Sequence, residues 1–316
     1  MLVTPRFYVQ RVLGMLGAVL LSLALSPAAL AQPVLGKASP EEVCKGCHLD
    51  YFNGYAASKH ATKADERTPA NRGGCLACHS DGALEHAAKG GGRGVGGVLG
   101  FNDRKVPAQA KSAVCLNCHQ GGKRIHWASG THANRDVSCS SCHKVHDPHD
   151  KARDKQTQTE VCFNCHKEIR AQINRPSRHP IREGKVVCSD CHNPHGTAGE
   201  KLLLRDGVND TCYTCHMEKR GPFVRTHAPV QENCAICHNP HGTTNDNLLR
   251  LRAPFLCQQC HEPTSHRGNL AGFETGTGTG NRTRGITQAR ACLNCHTNIH
   301  GTNSVIDDSG ERSFRR

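Results

Sequence analysis

The longest apolar stretch of the chain lies close to its start, between Val12 and Leu25. Arg6 and Arg11 precede this stretch, and residues 29–31 read Ala-Leu-Ala. A basic segment, an apolar segment and an A-x-A site in this order are typical of a secretory signal peptide. A run of about 14 residues is short for a bilayer span. We therefore expect residues 1–31 to be removed and the mature chain to be exported to a periplasm.

Beyond this stretch, no segment alternates polar and apolar residues with the period of two that a strand requires. No later segment is apolar enough to cross a membrane. The C-x-x-C-H segments that recur along the chain are expected to form single short helical turns. Pro194 and Pro240 follow two of these segments and push the preceding residue into extended backbone. The pattern predicts an elongated, mostly irregular chain with short helices, and mobile surface loops at the glycine-rich residues 90–100 and 272–285.

The composition is poor in residues that build a hydrophobic core. The 316 residues include one Trp, four Tyr and eight Phe, and the mean hydropathy is -0.55. Burial of apolar surface is the main force that stabilises a folded chain. Something other than side chains must therefore fill the interior.

All 20 cysteines fall into ten C-x-x-C pairs, and a histidine follows every pair directly. C-x-x-C-H is the attachment signal for c-type haem, in which both thiols form thioethers and the histidine becomes the proximal iron ligand. Zinc ribbons also use C-x-x-C but do not require a histidine after each pair. We therefore predict ten covalent haem c groups. The predicted attachment residues are Cys44, Cys47, Cys75, Cys78, Cys115, Cys118, Cys139, Cys142, Cys162, Cys165, Cys188, Cys191, Cys212, Cys215, Cys234, Cys237, Cys257, Cys260, Cys292 and Cys295. The predicted proximal ligands are His48, His79, His119, His143, His166, His192, His216, His238, His261 and His296.

Histidines also supply the second axial ligands. Met217 directly follows the motif histidine His216 and is too close to fold over a haem face. Four repeated units each contain two further histidines, and two more flank the last motif, whereas His126 and His149 fall outside the repeat. The predicted distal ligands are His60, His86, His132, His146, His179, His195, His227, His241, His266 and His300. Bis-histidine ligation leaves no open iron position and favours low reduction potentials, so no catalytic residue is assigned.

The formal charge of +13 would ordinarily point to an acidic partner such as nucleic acid. Ten haems bring propionate groups that offset this charge. We expect lysines and arginines to pair with those propionates, and no nucleic acid partner.

With these motifs the chain resembles the decahaem MtrA/MtoA/PioA (DmsE-type) cytochromes, from Cys44 to His300. The resemblance rests in detail on the segments "SCSSCHKVHDPH", "CSDCHNPHGT" and "CAICHNPHGT", and on "HWASGTH" before Cys139. The resemblance implies a row of bis-histidine haems in two pentahaem halves, residues 32–175 and 176–316. It also implies a periplasmic protein that threads into an outer-membrane β-barrel porin. Its further partners would be periplasmic or inner-membrane cytochromes and, outside, a surface multihaem cytochrome or extracellular iron.

The leading hypothesis is therefore an electron conduit through a porin, used for Fe(II) oxidation or for reduction of Fe(III) or another metal. A soluble periplasmic electron shuttle is one alternative. A multihaem reductase of nitrogen or sulfur oxyanions is another, and it requires an iron with an open position. The sequence does not encode the direction of electron flow.

Overall fold

The computed structural model describes residues 39–261, 292–294 and 296–304. The predicted signal peptide, residues 1–31, and the predicted loop at residues 272–285 lie outside these ranges. None of the α-helices in the described part is longer than nine residues. The helices are α1 Pro40–Lys45, α2 Leu49–Ala56, α3 Leu76–His79, α4 Gly82–Ala88, α5 Ala108–Leu116, α6 Cys139–Cys142, α7 Gln158–Phe163, α8 Lys167–Gln172, α9 Cys188–Cys191, α10 Val208–Tyr213 and α11 Ala228–Glu232.

Short 3-10 turns connect these helices, and β-structure in the described ranges is limited to isolated bridges. The 3-10 turns are Lys59–Ala61, Pro69–Asn71, Gly122–Arg124, Trp127–Ser129, Ala133–Arg135, Glu200–Leu202, Met217–Lys219, Cys234–Ile236, Asp246–Leu248, Cys257–Gln259 and Cys292–Asn294. The bridges join Ser177 to Thr243, His192 to Leu203, Arg225 to Thr302 and His238 to Leu249. The prediction of a mostly irregular chain with short helices is confirmed.

Every C-x-x-C-H motif forms the same helical turn. In all ten, the backbone N–H of the motif histidine donates to the carbonyl oxygen of the first cysteine, with N···O distances of 2.9–3.0 Å. This is the i to i−4 bond of an α-helix. The single turn brings both cysteines and the histidine of a motif into one compact segment.

The chain leaves this turn in two ways. After α6 and α9 the motif histidines His143 and His192 are extended, with ψ of 131° and 144°. Pro194 then prevents the helix from resuming. By contrast, His166 and His216 are the N-cap residues of a new helical segment. The first behaviour belongs to motifs of the form C-x-x-C-H-x-x-H, because their extended exit carries the second histidine away from the motif.

The described chain has a small and scattered apolar interior. Val187 is 1% exposed, and the other buried apolar residues are isolated from one another along the chain. They are Tyr55, Ala83, Ala108, Trp127, Phe163, Ile173 and Leu203. The composition had predicted this shortage of core.

Consecutive repeats dock on one another through the "NPHGT" segments. The amide of Asn193 donates to the carbonyl oxygen of Lys123 at 2.8 Å, and Asn239 donates to Gln172 Oε1 at 3.2 Å. Gly196 has a φ of +107°, and a side chain there would meet the backbone of His126. The contact of Asn193 with Lys123 crosses residue 175, so contacts join the two predicted halves, and the division at this residue stays a prediction.

Within residues 39–261, 292–294 and 296–304, every helix is too short or too polar to cross a bilayer.

Candidate functional site

The histidine side chains are arranged as facing pairs. Each pair joins one motif histidine to one histidine outside the motifs, with ring centroids 5.9–6.4 Å apart. The pairs are His48–His86, His60–His119, His79–His146, His132–His166, His143–His195, His179–His216, His192–His241, His227–His261 and His238–His300. All nine partners belong to the set that the sequence predicts as distal ligands.

The spacing within the pairs matches that of two axial ligands on one metal ion. Metal–imidazole nitrogen bonds are about 2 Å long, and a ring nitrogen lies about 1.1 Å from the centroid of its ring. Two opposed imidazoles on one ion therefore place their centroids about 6.3 Å apart. Direct stacking of two rings brings centroids as close as about 4.5 Å. Each gap thus has room for one ion between the rings.

Seven of the paired imidazoles are held in the tautomer that binds a metal. Backbone carbonyl oxygens can only accept a hydrogen bond, so a ring nitrogen that contacts one must carry the proton. This contact is made by Nδ1, and it leaves Nε2 unprotonated and able to bind iron. The Nδ1 donors and their carbonyl acceptors are His79 to Leu99 (3.0 Å), His86 to Val95 (2.7 Å), His132 to Pro194 (2.8 Å), His146 to Tyr51 (2.8 Å), His179 to Pro240 (2.7 Å), His192 to Lys201 (2.9 Å) and His238 to Asn247 (2.8 Å).

Burial keeps several of these rings neutral. Desolvation lowers the pKa of His79, His195, His241 and His300 below its usual value. Nearby cationic groups lower the pKa of His195 and His300 further. A neutral imidazole is the form that binds a metal ion, so these sites are ready for ligation at neutral pH.

The second histidine of the C-x-x-C-H-x-x-H segments faces a different motif from its own. The ring of His195 lies 6.1 Å from His143, and the ring of His241 lies 6.1 Å from His192. The motif histidine His192 therefore faces His241 and not the nearby His195. In both cases the motif faced lies two positions earlier in the chain, and the ligation itself stays a prediction.

The cysteines of successive motifs lie near one another in an alternating pattern. The first cysteines lie close together in pairs, which are Cys44–Cys75, Cys115–Cys139, Cys162–Cys188, Cys212–Cys234 and Cys257–Cys292. The second cysteines interact electrostatically in the intervening pairs, which are Cys78–Cys118, Cys142–Cys165, Cys191–Cys215 and Cys237–Cys260. Each motif from the second to the ninth thus has one neighbour on each side. The motifs follow one another in chain order from Cys44 to Cys292.

The remaining histidines are accounted for as follows. His266 and Cys295 lie outside the described residues, whereas His296 is described and makes the motif turn. His149 donates from Nε2 to Asp154 Oδ2 at 2.6 Å. His126 is exposed and faces no second imidazole within the described part of the chain. The two histidines that fall outside the sequence repeat are therefore also outside the facing pairs.

Sequence reasoning missed the carbonyl acceptors. The glycine-rich residues 90–100 form an irregular segment, as expected of a loop, but two imidazoles donate hydrogen bonds to this segment. Val95 and Leu99 accept the hydrogen bonds of His86 and His79. The density of glycines was a signal for this role, because positive φ values let the segment fold back closely on the motif.

Two arginines fit an anionic ligand near the pairs. Arg124 and Arg178 each bury an Nε that has no hydrogen-bond partner in the structure. Arg178 uses its other nitrogens on Arg175 (3.1 Å) and Glu183 (2.8 Å). Buried unsatisfied donors are rare, and a haem propionate is a suitable acceptor. No three metal-binding side chains of the described residues converge on one point.

The facing pairs differ in how their ring planes are oriented. In the stacked pairs the planes lie 9–27° apart; they are His48–His86, His79–His146, His143–His195, His192–His241, His227–His261 and His238–His300. In the crossed pairs the planes lie 50–84° apart; they are His60–His119, His132–His166 and His179–His216.

Comparison with known proteins finds several cytochromes that resemble this chain. The profile of the doubled CXXCH motif matches residues 179–221 and 227–266, and the profile of cytochrome c-type proteins like NrfB matches residues 75–157. The chain is 39% identical to the multiheme cytochrome MtrA of Shewanella baltica (strain OS185), over 92% of this chain and 93% of the relative. It is 29% identical to the cytochrome c-type protein NrfB of Haemophilus influenzae, over 41% of this chain and 66% of the relative. A high-molecular-weight cytochrome c of Nitratidesulfovibrio vulgaris is 26% identical over 51% of this chain and 27% of its own length.

Proposed function

This chain belongs to the MtrA family of multihaem c-type cytochromes, and from this membership we propose that it is an electron conduit at the outer membrane. On this proposal it connects periplasmic electron carriers to extracellular iron or another insoluble donor or acceptor. Membership supports covalent haem c and electron transfer. The location, the porin and the outer substrate are the parts that we add.

We propose that ten haems are bound and that each iron has two histidine ligands. The cysteines of each motif would hold the porphyrin, and the facing histidine pairs would hold the iron from both sides. The tenth motif would pair His296 with His266. When bound, each haem supplies a one-electron Fe(III)/Fe(II) couple. The chain itself fixes the tautomer of the imidazoles that donate from Nδ1 to carbonyl oxygens and keeps buried rings neutral. It also docks each "NPHGT" segment on an earlier part of the chain.

The observation that carries the proposal is the close succession of the motifs. A cysteine of each motif lies near a cysteine of the next, from Cys44 to Cys292. A storage protein or a reductase has no need of a single file of sites in chain order. A conduit requires it, because an electron must leave at a different place from where it arrived.

The second imidazole opposite each of nine motif histidines also favours an electron carrier over a reductase. A reductase of nitrogen or sulfur oxyanions requires an iron with one position free for substrate. Nine motif histidines in the described ranges already face a second imidazole at ligand spacing. The polar composition, with a mean hydropathy of -0.55, suits a protein inside a porin, whose lumen is polar.

The test is electron transfer across a sealed membrane by the protein as it is purified from outer membranes. Liposomes that contain this preparation are loaded with reduced viologen dye, and ferric citrate is added outside. We expect rapid oxidation of the trapped dye. Replacing Cys162 and Cys165 by Ala removes the fifth attachment site and should abolish the transfer, although the other nine remain.

Two outcomes would contradict the conduit. In one, the native protein is found only in the soluble periplasmic fraction, which would favour the shuttle. In the other, the variant without the fifth site conducts as well as the parent, which would show that electrons do not pass along the row. Visible haem stains and pyridine haemochrome assays confirm that the variant has lost one haem and retained the rest.

A further inference from the structure

One motif histidine has a different kind of hydrogen-bond acceptor from its counterparts. Nδ1 of His79, His192 and His238 donates to backbone carbonyl oxygens at 2.8–3.0 Å. Nδ1 of His143 instead donates to the carboxylate Oδ2 of Asp150 at 2.8 Å. The fourth motif therefore has an anionic acceptor where these others have a neutral one.

A second carboxylate lies near a motif histidine but does not reach hydrogen-bond distance. Nδ1 of His216 is 3.7 Å from Glu218 Oε1, and a hydrogen bond between these atoms requires about 3.2 Å or less. The side chain of Glu218 is also 61% exposed, compared with 28% for Asp150. Water screens an exposed charge more than a half-buried one. Asp150 is therefore the stronger electrostatic influence on its histidine.

The carboxylate of Asp150 is held in place by its own turn. Its Oδ1 accepts from the backbone N–H of Ala152 at 3.1 Å, while Oδ2 accepts from His143. Its backbone carbonyl accepts from Arg153 and Asp154 at 3.0 and 3.3 Å. Both oxygens of the carboxylate are thus oriented, and the bond to His143 does not depend on a freely rotating side chain.

We propose that Asp150 is a positioning residue that lowers the reduction potential of the haem attached at Cys139 and Cys142. A carboxylate attracts the Nδ1 proton more strongly than a carbonyl does, and so makes Nε2 a more basic ligand. A more basic axial ligand stabilises Fe(III) relative to Fe(II). The inference rests on the proposed ligation of this iron by His143 and His195. It goes beyond the conduit proposal by giving one site in the middle of the row a lower potential.

The experiment compares redox titrations of the ten-haem protein and of Asp150→Asn at one fixed pH, followed by visible absorption. Asparagine keeps the size of the side chain and an oxygen acceptor but removes the charge. We expect one component in ten to shift to higher potential, by a factor of about ten in its Fe(III)/Fe(II) equilibrium, which is about 59 mV for a one-electron couple. Asp150→Ser, another neutral acceptor, should shift the same component in the same direction and is informative if the asparagine variant assembles poorly.

Asp154→Asn is the matched control, because it removes the same charge from the same segment. Asp154 binds His149, which lies outside the facing pairs. Its titration should match that of the parent. An equal shift in this control would show a general effect of charge and would overturn the role of Asp150, as would an unshifted titration in both Asp150 variants.

Electron paramagnetic resonance of the parent tests the underlying ligation separately. An entirely low-spin parent with unshifted Asp150 variants would refute only the tuning by Asp150. A high-spin haem in the parent that disappears when Cys139 and Cys142 are replaced would refute the bis-histidine proposal for this site.

Discussion

Removing the imidazole of His195 is expected to open the iron at Cys139 and Cys142 and to leave the motif that contains His192 intact. The ring of His195 faces His143 at 6.1 Å with 9° between the planes, whereas His192 faces His241. On the proposed count and ligation, one haem of ten would lose its distal ligand in His195→Ala, and we expect about a tenth of the haem to become five-coordinate and high-spin.

The fold should survive this substitution. The His195 side chain donates one hydrogen bond, from Nδ1 to Asn193 Oδ1 at 3.2 Å, which contributes about 1 kcal/mol. The neighbouring Trp127, whose ring lies 6.2 Å away, cannot replace the ligand because its indole nitrogen only donates. All twenty motif cysteines are retained, so the pyridine haemochrome assay should give the same haem content as the parent.

The assay is the high-spin ferric signal in electron paramagnetic resonance, in two backgrounds. Replacing Cys139 and Cys142 by Ala in the His195→Ala protein should abolish the new signal. Replacing Cys188 and Cys191 should leave it in place. The reverse result would show that His195 serves its own motif and would refute the pairing seen here. His126→Ala is the control, because this exposed histidine faces no second imidazole in the described ranges, and it should produce no high-spin signal.

Three further predictions concern the backbone, the ring planes and the response to acid. Gly196→Ala should destabilise the protein by at least about 2 kcal/mol more than Gly184→Ala in chemical denaturation. Both glycines have positive φ, but only at Gly196 would an added Cβ meet backbone atoms, those of His126. Equal costs would show that the docking is loose. In electron paramagnetic resonance, the crossed pairs should give low-spin ferric signals of larger g anisotropy than the stacked pairs, because perpendicular imidazoles leave the iron orbitals nearly degenerate. The crossed-pair and stacked-pair signals should have integrated intensities in a ratio of about one to two. A uniform spectrum would contradict the two orientations. Hydrogen bonds from the Arg67 side chain and backbone hold the pKa of Asp65 at about 2. The contact should therefore stabilise this turn above a pH of about 4, and the contribution should be lost as the pH falls through about 2. If the carboxyl carbon of Asp65 titrates near pH 4 in nuclear magnetic resonance, the contact is refuted.

The sequence predicted the chemistry of the site more fully than its geometry. The ten C-x-x-C-H motifs are local, and a single helical turn forms each one, so the residue pattern alone identifies them. The set of distal histidines followed from their number and their phase in the repeat. These are properties of composition and spacing, which a sequence contains directly.

The pairing of the histidines and the acceptors of their Nδ1 protons required the structure. His132 donates to the carbonyl of Pro194, which is 62 residues away, and His146 donates to Tyr51, which is 95 residues away. Every residue except proline offers the same backbone groups, and proline offers the same carbonyl. No residue type therefore marks which carbonyl will be used. Asp150 was the exception that residue type could have suggested, since a carboxylate follows the fourth motif at a short distance.

The arrangement of the pairs explains how a chain with so little apolar core can hold its shape. Each facing pair joins two segments that lie far apart in sequence, and the "NPHGT" segments dock on the repeat before them. Contacts between neighbouring repeats, added along a line, stabilise repeat proteins without a central core. On our proposal each iron would close one of these links, so that the second histidine of a C-x-x-C-H-x-x-H segment both ligates a haem and joins its own repeat to the repeat before it. The same iron–histidine bonds would then both support electron transfer along the row and hold its repeats together.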